Sequence, residues 1–169
     1  MKKLGSILTA QQFDIKTLNT IFAAADKMRG GEFSPDDLRG KIMASMYYEK
    51  DELTRICFES AMLRLGGEVT GNTKELSSVA KGESLEDTIK VLSSYVDVIV
   101  LKYNERDGAL RAGKVSKVPV INAGHAGEQG PIESLLGLYT ETYDRKNTER
   151  HKNGLYIRMA LLKMMLIGY

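Results

Sequence analysis

Apolar residues recur three and four apart at Leu18, Ile21, Phe22, Ala25 and Met28, and Gly30 and Gly31 follow them. That spacing predicts an opening amphipathic helix closed by the glycine pair. The run from Lys41 to Tyr48 is short and apolar, of buried-strand length, and Asp51 then precedes Ile56, Phe58, Ala61, Met62 and Leu65 before Gly66 and Gly67. A strand feeding a helix is expected there. Residues 68–71 read as a weaker strand, 72–82 as a polar loop, and 84–95 as a helix with Leu85, Thr88, Ile89 and Leu92 on one side. Two further strands are expected at 96–101 and 118–122, with a short helix at 108–114 between them. The first of these is apolar enough to be covered on both faces, as parallel strands are. A glycine-rich loop after Gly124 leads to Pro131, which suits the first turn of a helix carrying Leu135, Leu136, Leu138 and Tyr139.

Strands alternating with helices predict an α/β fold: one three-layer domain with a parallel sheet of about four strands between helices. Residues 140–152 are almost wholly polar and read as a bridge. The apolar segment that follows places Leu155, Met159, Leu162 and Leu166 on one seam and Ile157, Leu161, Met164 and Met165 elsewhere around it. A helix apolar on most sides must be covered, so it is expected to dock on the same domain.

The chain has 169 residues, room for one well-buried domain. Its 24 Lys and Arg against 22 Asp and Glu give a net charge of +2, too small a field to grip nucleic acid or an acidic membrane surface. The last apolar segment carries Arg158 and Lys163 and falls short of the roughly 20 residues a spanning helix needs. Gly5 and Gln11 break the apolar run near Met1, which makes a poor signal peptide. With Cys57 the single cysteine and His125 and His151 the two histidines, no disulfide and no metal-ligand spacing is available, and no cofactor is expected. A reducing, cytoplasmic setting fits.

Four residues invite a chemical reading. His125 lies on the glycine-rich loop at the expected carboxyl edge of the sheet, where α/β proteins hold ligands, but without a Ser or Cys partner it reads as a surface or capping residue before a catalyst. Cys57 reads as a small core residue before a nucleophile. Asp51 and Glu52 stand at a helix start, where carboxylates cap free amides and complement the helix dipole.

The motifs Lys81-Gly-Glu-Ser-Leu-Glu-Asp-Thr88, Tyr95-Val-Asp-Val-Ile-Val100, Pro119-Val-Ile-Asn-Ala-Gly124 and Leu135-Leu-Gly-Leu-Tyr-Thr140 resemble, in order and spacing, the carbamoyl-phosphate domain of aspartate carbamoyltransferase. The resemblance covers about residues 5–143. The stretch Asn153-Gly-Leu-Tyr-Ile-Arg-Met-Ala-Leu-Leu162 resembles that family's closing helix, which returns from a second, aspartate-binding domain. Here that second domain is missing between them. The implied organisation is a carbamoyl-phosphate-domain-like unit at 1–143, a polar bridge at 144–152 in place of the aspartate domain, and a closing helix at 153–169.

The family's phosphate-binding loop, Ser-Thr-Arg-Thr-Arg, surrounds the anion with hydroxyls, helix-start amides and an arginine. Its positions fall on Asp51, Glu52, Leu53, Thr54 and Arg55, of which only Thr54 and Arg55 agree. The arginine after the third strand falls on Lys102 and the neighbouring histidine on Tyr103. Of the pattern Gln-His-Pro-Thr-Gln, Gln129 and Pro131 agree, while the histidine and second glutamine that polarise the carbamoyl group fall on Gly130 and Glu133. Ser77 and Lys81 match the serine and lysine of a loop that a neighbouring subunit inserts into the site.

What the resemblance implies is a catalytically inactive relative, with no catalytic residue, acting as an interaction, regulatory or structural subunit. In the family the first domains pair around a threefold axis, so a homotrimer, or a hetero-oligomer with a carbamoyltransferase-family chain, is the implied partner. Lys81, Lys102 or Arg55 would neutralise the new carboxylates. Two alternatives stay open at the level of sequence: a carbamoyltransferase of pyrimidine biosynthesis completed by a partner chain, with Lys81 and Lys102 holding phosphate, and a sensor that receives a cationic amino acid or amine on Asp51, Glu52 and Glu133.

Overall fold

In the computed structural model, which describes residues 2–73, 82–125, 130–143 and 150–169, four parallel strands form one sheet. They are β1 (Ile42–Tyr47), β2 (Glu68–Thr73), β3 (Val98–Tyr103) and β4 (Val120–His125), in the spatial order β2-β1-β3-β4. The helices are α1 (Ile15–Arg29), α2 (Glu52–Arg64), α3 (Leu85–Leu92), α4 (Gly108–Val115), α5 (Pro131–Tyr143) and α6 (Arg150–Leu166). This is the α/β architecture that the alternating pattern predicts.

Period-two alternation along the strands sorts side chains onto two faces. Met43, Tyr47, Val98, Val100, Ile121 and Ala123 face α1, α2, α5 and α6, where the larger core lies. Ala44, Met46, Ile99, Leu101, Tyr103 and Val120 face α3 and α4. With both faces covered, the strands read as apolar runs rather than alternating ones. Beyond β4, the Ile7 N–H donates to the Val120 carbonyl at 2.8 Å and the Ile7 carbonyl accepts from Asn122 N at 2.8 Å, so the N-terminal segment shields that sheet edge.

Helix α6 packs on α1, α2 and α5, and its Ile157, Met159, Leu161, Leu162, Met164 and Met165 are buried. The Lys163 ammonium meets Asp37 at 2.6 Å, and the Leu4 N–H donates to the Met164 carbonyl. Side chain and backbone together pin this helix.

Several boundaries depart from the hydrophobic pattern. β3 starts at Val98 and runs on through Lys102 and Tyr103, because pairing with β1 sets its register (Met43 with Val98, Tyr47 with Lys102). Asp97, read as strand, sits before it and ties its start to β1, accepting from Lys41 Nζ at 2.8 Å and Ile42 N at 2.9 Å. His125 is the last residue of β4, paired with Tyr103, and not part of the loop. β2 takes in residues 72 and 73, assigned above to the polar loop. α6 begins at Arg150, inside the expected bridge, since Arg and Lys propagate helix well and the apolar pattern marks only the buried part. Ile56 faces outward at 56 % exposure, while Phe58, Ala61, Met62 and Leu65 form the buried line of α2.

Candidate functional site at the carboxyl edge of the sheet

Parallel strands end on one edge, and the helices that follow them start there with their free N–H groups pointing inward. At this edge β1 ends at Tyr47, β3 at Tyr103 and β4 at His125, while α2 and α5 begin. Asp51 is the N-cap of α2, its Oδ1 accepting from Thr54 N at 3.2 Å. Its Oδ2 accepts from Lys102 Nζ at 2.8 Å. Lys102 is buried, at 7 % exposure, and the Asp51 side chain is part-buried. A carboxylate of the chain itself therefore takes the helix-start amide and the ammonium that an anion would use. Burial pushes the Asp51 carboxyl up, but the Lys102 and Thr54 hydrogen bonds outweigh it and hold the group below its ordinary value of 3.8.

Glu133, in the first turn of α5, makes the second pair, its Oε1 accepting from Arg158 Nη2 at 2.9 Å. Arg158 is 4 % exposed; its Nη1 donates to the Gly154 carbonyl at 3.0 Å, and its guanidinium lies 4.8 Å from the centre of the Phe58 ring. Burial raises the Glu133 carboxyl above its ordinary value, with Asp51 adding to the rise and Arg158 and Lys102 opposing it. Tyr47, also buried, lies in the same field; burial raises its phenol, and Asp51, Glu133 and Glu59 push the same way. A third carboxylate, Glu59, accepts from Arg55 Nε at 2.7 Å and from Ser45 Oγ at 2.8 Å.

Lys102, not Arg55, thus neutralises Asp51. Glu52 and Leu53 lie exposed at the start of α2. Tyr103 turns to the opposite face of the sheet, stacking edge-on with Tyr48 at 4.9 Å and lying under the Arg111 guanidinium. Gly130 packs so closely on β4 that an added Cβ would lie 2.7 Å from Gly124 N and 2.8 Å from Asn122 O. No histidine fits there on this backbone. Ser77, Lys81 and Gln129 lie outside the described residues. Cys57 is half-buried, and no group of His, Cys, Asp or Glu suited to a metal ion occurs among the described residues.

The sequence reading overlooked Arg158 and Tyr47 as members of this edge. An arginine set among the apolar residues Leu155, Ile157, Met159 and Leu161 was the available clue, because a buried charge needs a partner. Tyr47 gave none, since a tyrosine in an apolar run reads as core.

Residues 6–142 match the family described as the aspartate/ornithine carbamoyltransferase, carbamoyl-P binding domain. Aspartate carbamoyltransferase 1, chloroplastic, of Pisum sativum is 47 % identical over 143 residues, covering 82 % of this chain and 37 % of the pea protein. The aspartate carbamoyltransferase catalytic subunit of Methanosphaerula palustris is 43 % identical over 138 residues, covering 81 % of this chain and 46 % of its own. The crystal structure of Trypanosoma cruzi aspartate transcarbamoylase with carbamoyl phosphate and aspartate superposes with a TM-score of 0.74 at 36 % identity, over 82 % of this chain and 47 % of that one. This chain spans less than half the length of each of these relatives. Sequence and fold agree, and the chain belongs to the aspartate/ornithine carbamoyltransferase family through its carbamoyl-phosphate binding domain.

Proposed function

We propose that this chain is a catalytically inactive member of that family, which acts by assembling with other chains. The observation that carries the reading is the contact of Asp51 with Lys102 and Thr54 N, which fills the helix start where an anion would sit. Energetics favour exclusion of phosphate. A carboxylate about 4 Å from a phosphate oxygen costs on the order of 4 kcal/mol at an effective dielectric near 20. Losing an arginine removes about 1.5 to 3 kcal/mol of charge-assisted hydrogen bonding. A metabolite bound at millimolar to micromolar strength has only about 4 to 8 kcal/mol in total. Close packing at Gly130 also supports inactivity, because the family's carbamoyl-polarising histidine cannot be accommodated there.

Titration calorimetry with carbamoyl phosphate on the whole chain tests this. No heat of binding up to millimolar concentration is expected; micromolar binding would revive a carbamoyltransferase completed by a partner chain. The cationic-ligand reading has less behind it, since Asp51 and Glu133 each already hold a cation of the chain.

Assembly is supported by two apolar surfaces of unlike shape. Leu53, Ile56 and Leu63 project from α2, at 80 %, 56 % and 59 % exposure. Ala44, Met46, Thr70, Val91, Leu92 and Tyr95 line a hollow of about 520 Å³ between the sheet and α3. A projecting face and a concave one on the same chain suit a head-to-tail contact, which forms a ring when the rotation between neighbours closes. We assign a homotrimer, or a mixed ring with a full-length family chain, in which Ser77 and Lys81 would be offered to the neighbour's site. In this reading the segment before α6 stands in place of the second domain and α6 is the closing helix.

A further inference from the structure

The ion pair between α5 and α6 is half made. Arg158 donates from Nη2 to Glu133 Oε1 at 2.9 Å, while Arg158 Nε and Glu133 Oε2 are buried without a hydrogen-bond partner. Nε shares Cζ with Nη2 and Oε2 shares Cδ with Oε1, so both unpartnered atoms flank that one bond. The Tyr47 hydroxyl, on β1, is a third buried atom without a partner. Arg158 and Tyr47 are 4 % and 5 % exposed. Burial acts most on the Tyr47 phenol, the Arg158 guanidinium next, then Asp51, Glu133 and Glu59, which places the hydroxyl among the same charges.

Both partners are held as they stand. On one side the guanidinium is fixed, with Nη1 donating to the Gly154 carbonyl at 3.0 Å and Cζ 4.8 Å from the centre of the Phe58 ring. On the other, Gly130 is wedged against the backbone of β4 and its carbonyl accepts from the Glu133 N–H at 3.2 Å, which fixes the first turn of α5. What is left is a donor, Nε–H, an acceptor, Oε2, and a phenol that can do both. Native interiors meet such groups with protein atoms or with ordered water, because leaving them unmet is costly. Charge selects the guest: Asp51 faces Lys102 and Glu133 faces Arg158, carboxylate for cation, so an ion of either sign would arrive uncompensated. A neutral molecule that both donates and accepts fits, and atoms sealed from solvent admit only the smallest.

We propose that Arg158 Nε, Glu133 Oε2 and the Tyr47 hydroxyl form a binding site for one internal water molecule, which bolts α6 to α5 and to the inner strand β1. The water accepts from Nε–H, donates to Oε2 and meets the phenol with its remaining capacity, giving the roughly three hydrogen bonds usual for a buried water. Glu133 stays a carboxylate in this arrangement, because the buried Arg158 needs its charge and the water brings it a further donor. The second prong of the fork is thus made indirectly. Docking of α6 runs through a solvent molecule held inside the fold.

The test uses the whole chain and two measurements. In a crystal structure fine enough to place waters, one water is expected within about 3.2 Å of all three atoms. In urea unfolding, Tyr47→Phe is expected to lower the folding equilibrium constant by about two- to tenfold, because it strips a hydrogen bond from that water. A hydroxyl with nothing to bond would behave the other way, since removing an unmet polar group leaves stability unchanged or raises it. Direct contact of Nε with Oε2, no water touching all three atoms, or a Tyr47→Phe chain as stable as the native one overturns the site. Should that variant fail to fold, the water positions in the native chain decide alone.

Discussion

Lys102 is where substitution reads the site most directly, since its buried ammonium holds Asp51 at 2.8 Å. Lys102→Met keeps the stem and removes the charge, leaving a part-buried carboxylate with only the Thr54 amide. We expect a loss of about 1 to 3 kcal/mol near pH 6, measured by urea unfolding. The Asp51 carboxyl lies below its ordinary 3.8 when folded, so its contribution is complete above 3.8 and is lost as pH falls through the folded value. The stability difference between the native chain and Lys102→Met should therefore shrink below pH 3.8; a constant difference would show that the lysine acts by packing alone. Asp97, held down in the same direction by Lys41 and Ile42 N against the opposing effect of burial, adds to the acid lability of both proteins and cancels in the comparison. At this scale the two carboxylates at positions 51 and 52, at a helix start, were legible in the sequence. The partner of each carboxylate was not, because Lys102 lies 51 residues from Asp51 and Arg158 lies 25 from Glu133.

Among the elements, the start of α5 is tightly constrained. An alanine Cβ at position 130 would meet Gly124 N at 2.7 Å, Asn122 O at 2.8 Å and Ala123 C at 3.0 Å, all backbone atoms that cannot rotate away. Gly130→Ala is expected to cost about 3 kcal/mol, seen as a lowered thermal midpoint, and Gly130→His to cost more. Gly66, the turn between α2 and β2, is held more tightly still, with φ of 81° and the Pro35 carbonyl oxygen 1.8 Å from an added Cβ. The C-terminal half of helix α6 offers a contrast, because its buried side chains from Met159 to Leu162 are apolar. Leu162→Ala should cost about 2 to 5 kcal/mol, checked by the same unfolding measurement. The existence and type of these elements followed from spacing, but their ends did not. Hydrogen-bond register carried β3 on to Lys102 and Tyr103, past the apolar run that announced it.

For the whole molecule, the outward face of α2 is the place to separate association from folding. Leu53→Glu with Leu63→Glu alters side chains that touch little of their own chain, so stability should stay within about 0.5 kcal/mol. Light scattering after size exclusion should show the native chain as an oligomer and the double variant as a monomer; a monomeric native chain would remove the proposed assembly. No described helix is long and apolar enough to cross a membrane, so the exposed apolar residues of α2 are not part of a spanning segment. By itself the sequence determined the α/β class and the parallel sheet, since both are written in local periodicity, and it set carboxylates at the start of α2 by residue type alone. Only the tertiary structure decided that Asp51 is neutralised by Lys102 and Glu133 by Arg158, that Gly130 admits no side chain, and that Ile56 faces outward. Those outcomes depend on which distant segments the fold brings to one sheet edge, and charge pairing and close packing act through space, where sequence separation carries no weight.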